Sequence, residues 1–255
     1  MVDAKDSFVR VDPAGGKPQV VALGRKRLDE VTLRVNIAQA ARDLAASGAN
    51  FSATASSDAV NPLLWTLGYG GRMQVRKFLA DGTIGSPAKA IRDIFSHGEH
   101  YGFECATAMM VIFHKAILET VGDAAFDAMF AHPRNLTFFR WEVKDDDYLA
   151  LEKIDKNGDQ LTVGSHYYYK NPDASEENSA FAGENVIYLG VENGRRMFYG
   201  HGIVGAKGTY VVSEAELLAS LRSLRRYGAA TEPFRDDFRY SLDVETLTRR
   251  VASAA

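Results

Sequence analysis

An α+β fold with a mainly antiparallel sheet is what this sequence predicts. Helical periodicity fills the first half of the chain, and aromatic and β-branched runs bounded by turn residues fill most of the second. Between them lies a long, almost wholly apolar segment, Cys105 to Val121, which reads as a buried central helix. With 255 residues, 46% of them hydrophobic, the chain is long enough to bury a full core as one domain. Residues 26–255 are expected to form that domain. Residues 1–25, with Pro13, Gly15, Gly16 and Pro18, are expected to be a loosely ordered N-terminal arm.

The elements follow in order. Arg27 to Ala46 is helical in pattern, with Leu28, Val31, Val35, Ala38, Ala41, Leu44 and Ala45 on one broad face. Gly48 reads as the C′ residue that ends it. Residues 63–79 read as a hairpin turning at Gly68, Gly70 and Gly71. Ser86-Pro87 opens a helix, with Ser as N-cap and Pro at N1, and Gly98 follows its end. The central helix stops at Gly122-Asp123, and its polar stripe is thin: His114, Lys115 and Glu119. A short helix spans 124–130. Strands are expected at 136–143, 161–170, 184–189, 197–204 and 209–212. Ser213-Glu214-Ala215-Glu216 is a capping box that opens another helix, and a last short helix spans 244–251.

Bulk properties exclude several function classes. A net charge of −3 with interspersed signs gives no basic field for nucleic acid and no polybasic segment for a membrane surface. No apolar run approaches the roughly 20 residues of a membrane span. The first residues lack an apolar signal-peptide core, so a soluble, cytoplasmic protein is expected. A single cysteine rules out an intramolecular disulfide and a cysteine-rich zinc site. The Asp145-Asp146-Asp147 run lacks an EF-hand pattern and reads as a solvated loop, so no metal or other cofactor is expected.

That single cysteine, Cys105, starts the central helix. A helix N-terminus favours a thiolate, because unsatisfied N–H groups and the dipole stabilise negative charge. The competing reading is a buried structural cysteine. Catalysis would require a proton-transfer partner. His114 lies nine residues further on, which places it on the opposite face and roughly 13 Å along the axis. It is therefore expected at the surface. His97, His100, His132 and His166 read as ordinary loop or sheet residues. His201 stands apart. It lies on the second strand of a hairpin that turns at Glu192-Asn193-Gly194, whose first strand carries Glu184. One register sets Glu184 opposite His201 and another sets it opposite Ile203, and both place Glu184 and His201 on one face. A carboxylate and an imidazole on adjacent strands facing a helix-borne thiol is the geometry of papain-like cysteine enzymes. A plain cross-strand ion pair is the alternative. Glu104, beside the thiol, reads as an acid complementing the helix dipole, as a proton acceptor for Cys105, or as a group that limits access to it. Tyr101 and Phe103 read as pocket lining or as core.

These segments resemble the spore-coat type of bacterial protein-glutamine γ-glutamyltransferase, the calcium-independent transglutaminases. The resemblance rests on 34–41 (RVNIAQAA), 89–94 (KAIRDI), 101–108 (YGFECATA), 169–172 (YKNP), 183–190 (GENVIYLG) and Gly-His-Gly at 200–202, in order, over roughly residues 28–250. It departs from the family pattern at Gly164-Ser165, where the family favours Gly-Asp, in the first 25 residues, and in the Lys144–Asp159 stretch. The resemblance implies a papain-like, NlpC/P60-like core, with the Cys-bearing helix packed on an antiparallel sheet and further helices around it. It implies Cys105 as nucleophile, Glu184 as main acidic partner, His201 as the histidine and Glu104 as an auxiliary carboxylate. The implied reaction joins protein glutamine to protein lysine with release of ammonia. Its partners are protein substrates and its setting is the spore coat or another protein assembly. The N–H groups that open the Cys105 helix are the expected oxyanion donors. A hydrolytic cysteine enzyme on the same core and a non-catalytic coat protein remain as alternatives.

Overall fold

The computed structural model describes residues 7–11, 19–23, 28–53, 60–130, 136–138, 141–143, 150–154 and 160–254. His132, the Asp145–Asp147 run and most of the N-terminal arm lie outside the described residues. Within the arm, β1 (Ser7–Val11) and β2 (Gln19–Leu23) pair as an antiparallel hairpin.

The central helix is α3 (Cys105–Val121), and all but four of its residues are buried. Gly122 closes it at φ +83°, a conformation that glycine adopts without a Cβ penalty. Helix α1 (Glu30–Ala46) packs along α3. It starts three residues later than the periodicity suggests, because Asp29 caps it by accepting from the Thr32 N–H at 2.8 Å. Its buried face also differs from expectation. Leu33, Ile37, Ala40, Ala41 and Leu44 face the core, whereas Val31 (68%) and Val35 (57%) are exposed. Two aliphatic series with the same four-residue spacing compete on this helix. The one that wins joins larger side chains to alanines that allow close approach to α3.

Helix α2 (Pro87–Ser96) keeps its expected cap, with Ser86 Oγ accepting from the Lys89 N–H. Strands β3 (Asn50–Phe51) and β6 (Gly102–Phe103) pair in parallel just ahead of Cys105. Tyr101 fixes that approach by donating from its hydroxyl to Asp93 of α2 at 2.5 Å. Strands β4 (Trp65–Leu67) and β5 (Met73–Val75) form the expected hairpin. β7 (Thr137–Phe138) joins this small sheet rather than the main one. Helix α4 (Asp123–Phe130) packs at the end of α3.

The main sheet has six antiparallel strands in the order β12-β11-β10-β9-β13-β8. They are β8 (Leu151–Ile154), β9 (His166–Lys170), β10 (Gly183–Glu192), β11 (Arg195–Gly200), β12 (Val211–Ser213) and β13 (Phe234–Leu242). β8 and β13 are not evident in the sequence because charges interrupt both runs, Glu152 and Lys153 in β8 and Arg235, Asp236, Asp237 and Arg239 in β13. One sheet face buries Ile187, Leu189 and Tyr199 against the core built on α3. The other buries Tyr169, Val186, Phe198 and Val212 against Leu217 and Leu221 of α5 (Glu214–Ser223). The α5 capping box forms in full between Ser213 and Glu216. α6 (Val244–Ala254) closes the chain. Among the described residues no helix is long and apolar enough to cross a membrane.

The β10–β11 hairpin differs from both registers considered above. Near its turn Glu192 pairs with Arg195, which is the second of them. A bulge between Tyr188 and Gly190, with Gly190 at φ +103°, then shifts the ladder by one residue. Below the bulge Val186 pairs with Gly200. Continued one step, this register sets Asn185 rather than Glu184 beside His201. Since side chains alternate, a one-residue slip exchanges the faces.

Candidate active site

Cys105 sits where the N-terminus of α3 meets the start of β10, and it is only 2% exposed. It is a free thiol. The Asn185 side-chain amide donates from Nδ2 to Cys105 Sγ at 3.2 Å. Asn185 in turn accepts at Oδ1 from His166 Nε2 at 2.8 Å. His166 is buried next to Tyr240, and burial depresses its pKa to about 4, so the ring is neutral. Because Nε2 carries the proton in this arrangement, Nδ1 is the bare nitrogen, buried and without a partner among the described residues.

Glu104 and Glu184 are both fully buried, with opposite surroundings. Glu104 is the N-cap of α3. Its carboxylate accepts from the Ala106 N–H (2.6 Å), the Thr107 N–H (3.2 Å), the Thr107 hydroxyl and the Trp141 N–H (2.9 Å). This narrows the expected role of the helix start. The Ala106 and Thr107 N–H groups are occupied by Glu104, so they are not open to an oxyanion, and the charge that caps the helix offsets the dipole.

Among the described residues, both oxygens of Glu184 lack a hydrogen-bond partner. Glu184 pairs across the ladder with Tyr169, and Asn185 pairs with Tyr168. Tyr168 and Asn185 share the face that borders Cys105, while Glu184 leaves the strand on the α5 side, over Gly200. Glu184 is still close enough to the thiol for their negative charges to oppose each other. Burial first, then Glu184 and less strongly Glu104, pushes the Cys105 thiol up, and hydrogen bonding from Asn185 pulls it down. Burial first, then repulsion from Glu104, raises the Glu184 carboxyl well above the ordinary range.

His201 is buried and touches neither carboxylate through a hydrogen bond. Its Nε2 donates to the Asn50 carbonyl (3.2 Å) and its Nδ1 accepts from the Tyr199 hydroxyl (2.7 Å). Phe103 stacks on the ring at 5.0 Å, and Tyr210 stands edge-on at 4.8 Å. Burial lowers its pKa to about 4. Phe103 and Tyr101 belong to the core. His97 and His100 lie at the surface beside Asp93 and Glu99.

His114 is a correction. It does lie opposite Cys105 on α3, but α4 and β7 cover that face, and the ring is only 1% exposed. It packs on Phe126, Phe130 and Phe138, and its Nδ1–H donates to the Met110 carbonyl at 2.7 Å. Burial lowers its pKa to about 4.

A cavity of about 550 Å³ opens over the thiol. Trp141, His166, Tyr168, Phe238 and Tyr240 give it aromatic walls, and Gly183 and Asn185 form part of its floor. Gly183 is required there. A Cβ at this position would come within 2.0 Å of the Tyr168 hydroxyl and displace that ring. Asn185 and His166 are the members of the site that sequence reading missed. The hairpin alternation carried the signal, but the bulge at Gly190 concealed it.

A buried thiol with flanking carboxylates and a strand-borne amide, under an aromatic cavity, is suited to cysteine acyl transfer. Residues 25–251 match the family protein-glutamine gamma-glutamyltransferase, and the chain belongs to it. It is 36% identical over 207 residues to the Bacillus pumilus (strain SAFR-032) protein-glutamine gamma-glutamyltransferase, covering 81% of this chain and 74% of that one. It is 31% identical over 222 residues to the Bacillus subtilis (strain 168) protein of the same name, covering 87% and 80%. The solved transglutaminase from Geobacillus stearothermophilus, without its C-terminal extension, superposes with a TM-score of 0.71 at 32% identity. That alignment covers 86% of this chain and 94% of the other.

Proposed function

We propose that this protein is a transglutaminase in which Cys105 forms a γ-glutamyl thioester with a protein-bound glutamine and passes it to a lysine amine. Membership of the family supports the activity. The observation that carries the site is the lone buried thiol at the start of α3, facing β10 beneath the aromatic cavity. A Cys-bearing helix packed on an antiparallel sheet also supports a papain-like, NlpC/P60-like core.

In this reading the Cys105 sulfur attacks the γ-carboxamide carbon, and the carbonyl electron pair moves onto oxygen. Glu184 accepts the thiol proton and returns it to the departing ammonia as the thioester forms. It then accepts a proton from the incoming lysine amine as the isopeptide bond forms and the thiolate leaves. Burial makes Glu184 a stronger base than a solvated carboxylate, which narrows its gap to the thiol. Its bare oxygens leave it able to accept a proton. Glu104, already holding four donors, caps the helix and supports the site. His201, pinned between Asn50 and Tyr199, fixes the end of β11 beside the start of β10. The aromatic walls limit water at the thioester, which favours transfer over hydrolysis. Substrates are proteins supplying glutamine and lysine side chains, and cross-linking of protein assemblies such as the spore coat is the setting we infer.

The test is incorporation of a fluorescent primary amine into casein in EDTA. The wild type is expected to label it and Cys105→Ala to lose at least about 10⁴-fold. Ammonia release without amine incorporation would mark a hydrolase instead.

A further inference from the structure

We infer that Asn185 is a catalytic residue whose side-chain amide holds the Cys105 sulfur and then the substrate oxyanion, and that His166 is its positioning residue. The inference rests on Cys105 being the nucleophile proposed above. The geometry begins at the sulfur, where the Asn185 Nδ2 is the donor in contact with the reacting atom, at 3.2 Å. An amide can face a sulfur with either end, and the other end would present a carbonyl oxygen that repels a thiolate. His166 disfavours the flip, because the flipped amide needs the tautomer that strands a buried Nδ1–H, whereas the observed one leaves only a bare Nδ1. Its Nε2–H holds Oδ1 at 2.8 Å, so the NH₂ end is turned to Cys105. The ring is itself wedged beside Tyr240 and buried, so the amide cannot flip without breaking a buried hydrogen bond.

The second half concerns the oxygen that becomes negative. When sulfur bonds to the γ-carbon, the carbonyl electron pair moves to oxygen, and that oxygen needs donors within reach. Of the N–H groups that open α3, those of Ala106 and Thr107 are taken up by Glu104, which leaves the Cys105 N–H in need of a second donor beside it. The Asn185 amide has two N–H bonds and needs only one for the sulfur. An oxygen on the carbon attached to Sγ falls within reach of an amide nitrogen this close to the sulfur. Asn185 also lines the cavity that admits substrate. Among the described residues, the other titratable groups interacting with the thiol are Glu104 at the start of α3, Glu184 on β10, Tyr168 on β9 and Tyr199 on β11, and none of these four is a cation. Asn185 is thus the residue that favours negative charge at this centre, its side-chain amide more strongly than its backbone N–H.

Two readouts on the full chain decide it: the pH profile of Cys105 alkylation by iodoacetamide, and kcat and KM for amine transfer to a glutaminyl peptide. Asn185→Ala should move the alkylation midpoint up by about one pH unit or more. It should lower kcat on the order of 10²-fold to 10³-fold, with KM changed little. Asn185→Asp, similar in size, serves if the alanine variant does not fold, and should shift the midpoint further up because a carboxylate repels the thiolate. His166→Phe should move both readouts in the same direction as Asn185→Ala. His166→Gln, which retains an N–H to hold Oδ1, should recover most of the wild-type values. Midpoints and kcat within threefold of wild type in folded Asn185 variants would overturn the inference. So would equal losses in His166→Phe and His166→Gln. A wild type that alkylates but transfers no amine would instead overturn the transferase reading, while the midpoints would still decide the contact between Asn185 and sulfur.

Discussion

Two buried carboxylates flank one thiol, and their surroundings divide the work between them. Glu104, on the helix side, is held by four donors from Ala106, Thr107 and Trp141. Glu184, on the sheet side, has none among the described residues. A fully hydrogen-bonded carboxylate is a structural part, because protonating it breaks several bonds at once. An unpartnered buried carboxylate is costly to the fold and chemically available, because burial has already raised its proton affinity. Identical side chains in equal burial therefore have different capacities, set by what the neighbouring backbone offers them.

The largest expected effect breaks the pair on the sheet side. Glu184→Gln removes the proposed base and should cost on the order of 10²-fold to 10⁴-fold in kcat. It should leave the melting temperature nearly unchanged, since no hydrogen bond of the native carboxylate is lost. Steady-state amine incorporation beside calorimetry checks this, and a large drop in stability with activity retained would reverse the two roles. On the helix side, Glu104→Ala strands buried donors and removes the cap of α3. It should destabilise by about 2 kcal/mol or more. Activity should remain above that of Glu184→Gln once the protein is folded. Equal activity in the two variants would mean that they share the base role.

A smaller effect concerns histidines rather than carboxylates. His114, His166 and His201 are held near pKa 4 by burial, below the value of about 6.5 that an unfolded chain gives them. The stability they contribute as neutral rings is fully present above pH 6.5 and is lost as pH falls toward 4, because the unfolded chain then binds the extra protons. His114→Phe, set in its cage of Phe126, Phe130 and Phe138, should reduce the slope of stability with pH in that window by about one proton. Urea unfolding at several pH values between 4 and 7 measures it, and an unchanged slope would show that His114 is protonated in the folded protein.

Much of this arrangement is legible in the sequence because local chemistry decides it. Ser86, Ser213 and Glu216 cap their helices as their side chains dictate, and Cys105 opens an apolar helix that could only be central. The hairpin around Asn193-Gly194 is equally local. What was not legible depends on long-range packing. Leu33 and Ile37 prevail over Val31 and Val35 because α3 lies on that side. Helix geometry puts His114 opposite Cys105, yet it is buried because α4 and β7 cover that face. The bulge at Gly190 is a single residue, but it exchanges the faces of Glu184 and Asn185. No pattern of hydrophobicity marks such a slip in a strand buried on both sides.

The central claim is a γ-glutamyl thioester on Cys105 that an amine, and not water, resolves. Mass spectrometry of the intact protein, quenched in acid after brief mixing with a glutaminyl peptide and no amine, tests it directly. The expected result is an adduct on Cys105 equal to the peptide less one ammonia, which disappears on addition of a lysine analogue as the amide product forms. Amine incorporation without any adduct on Cys105, or an adduct elsewhere that persists in Cys105→Ala, would contradict it.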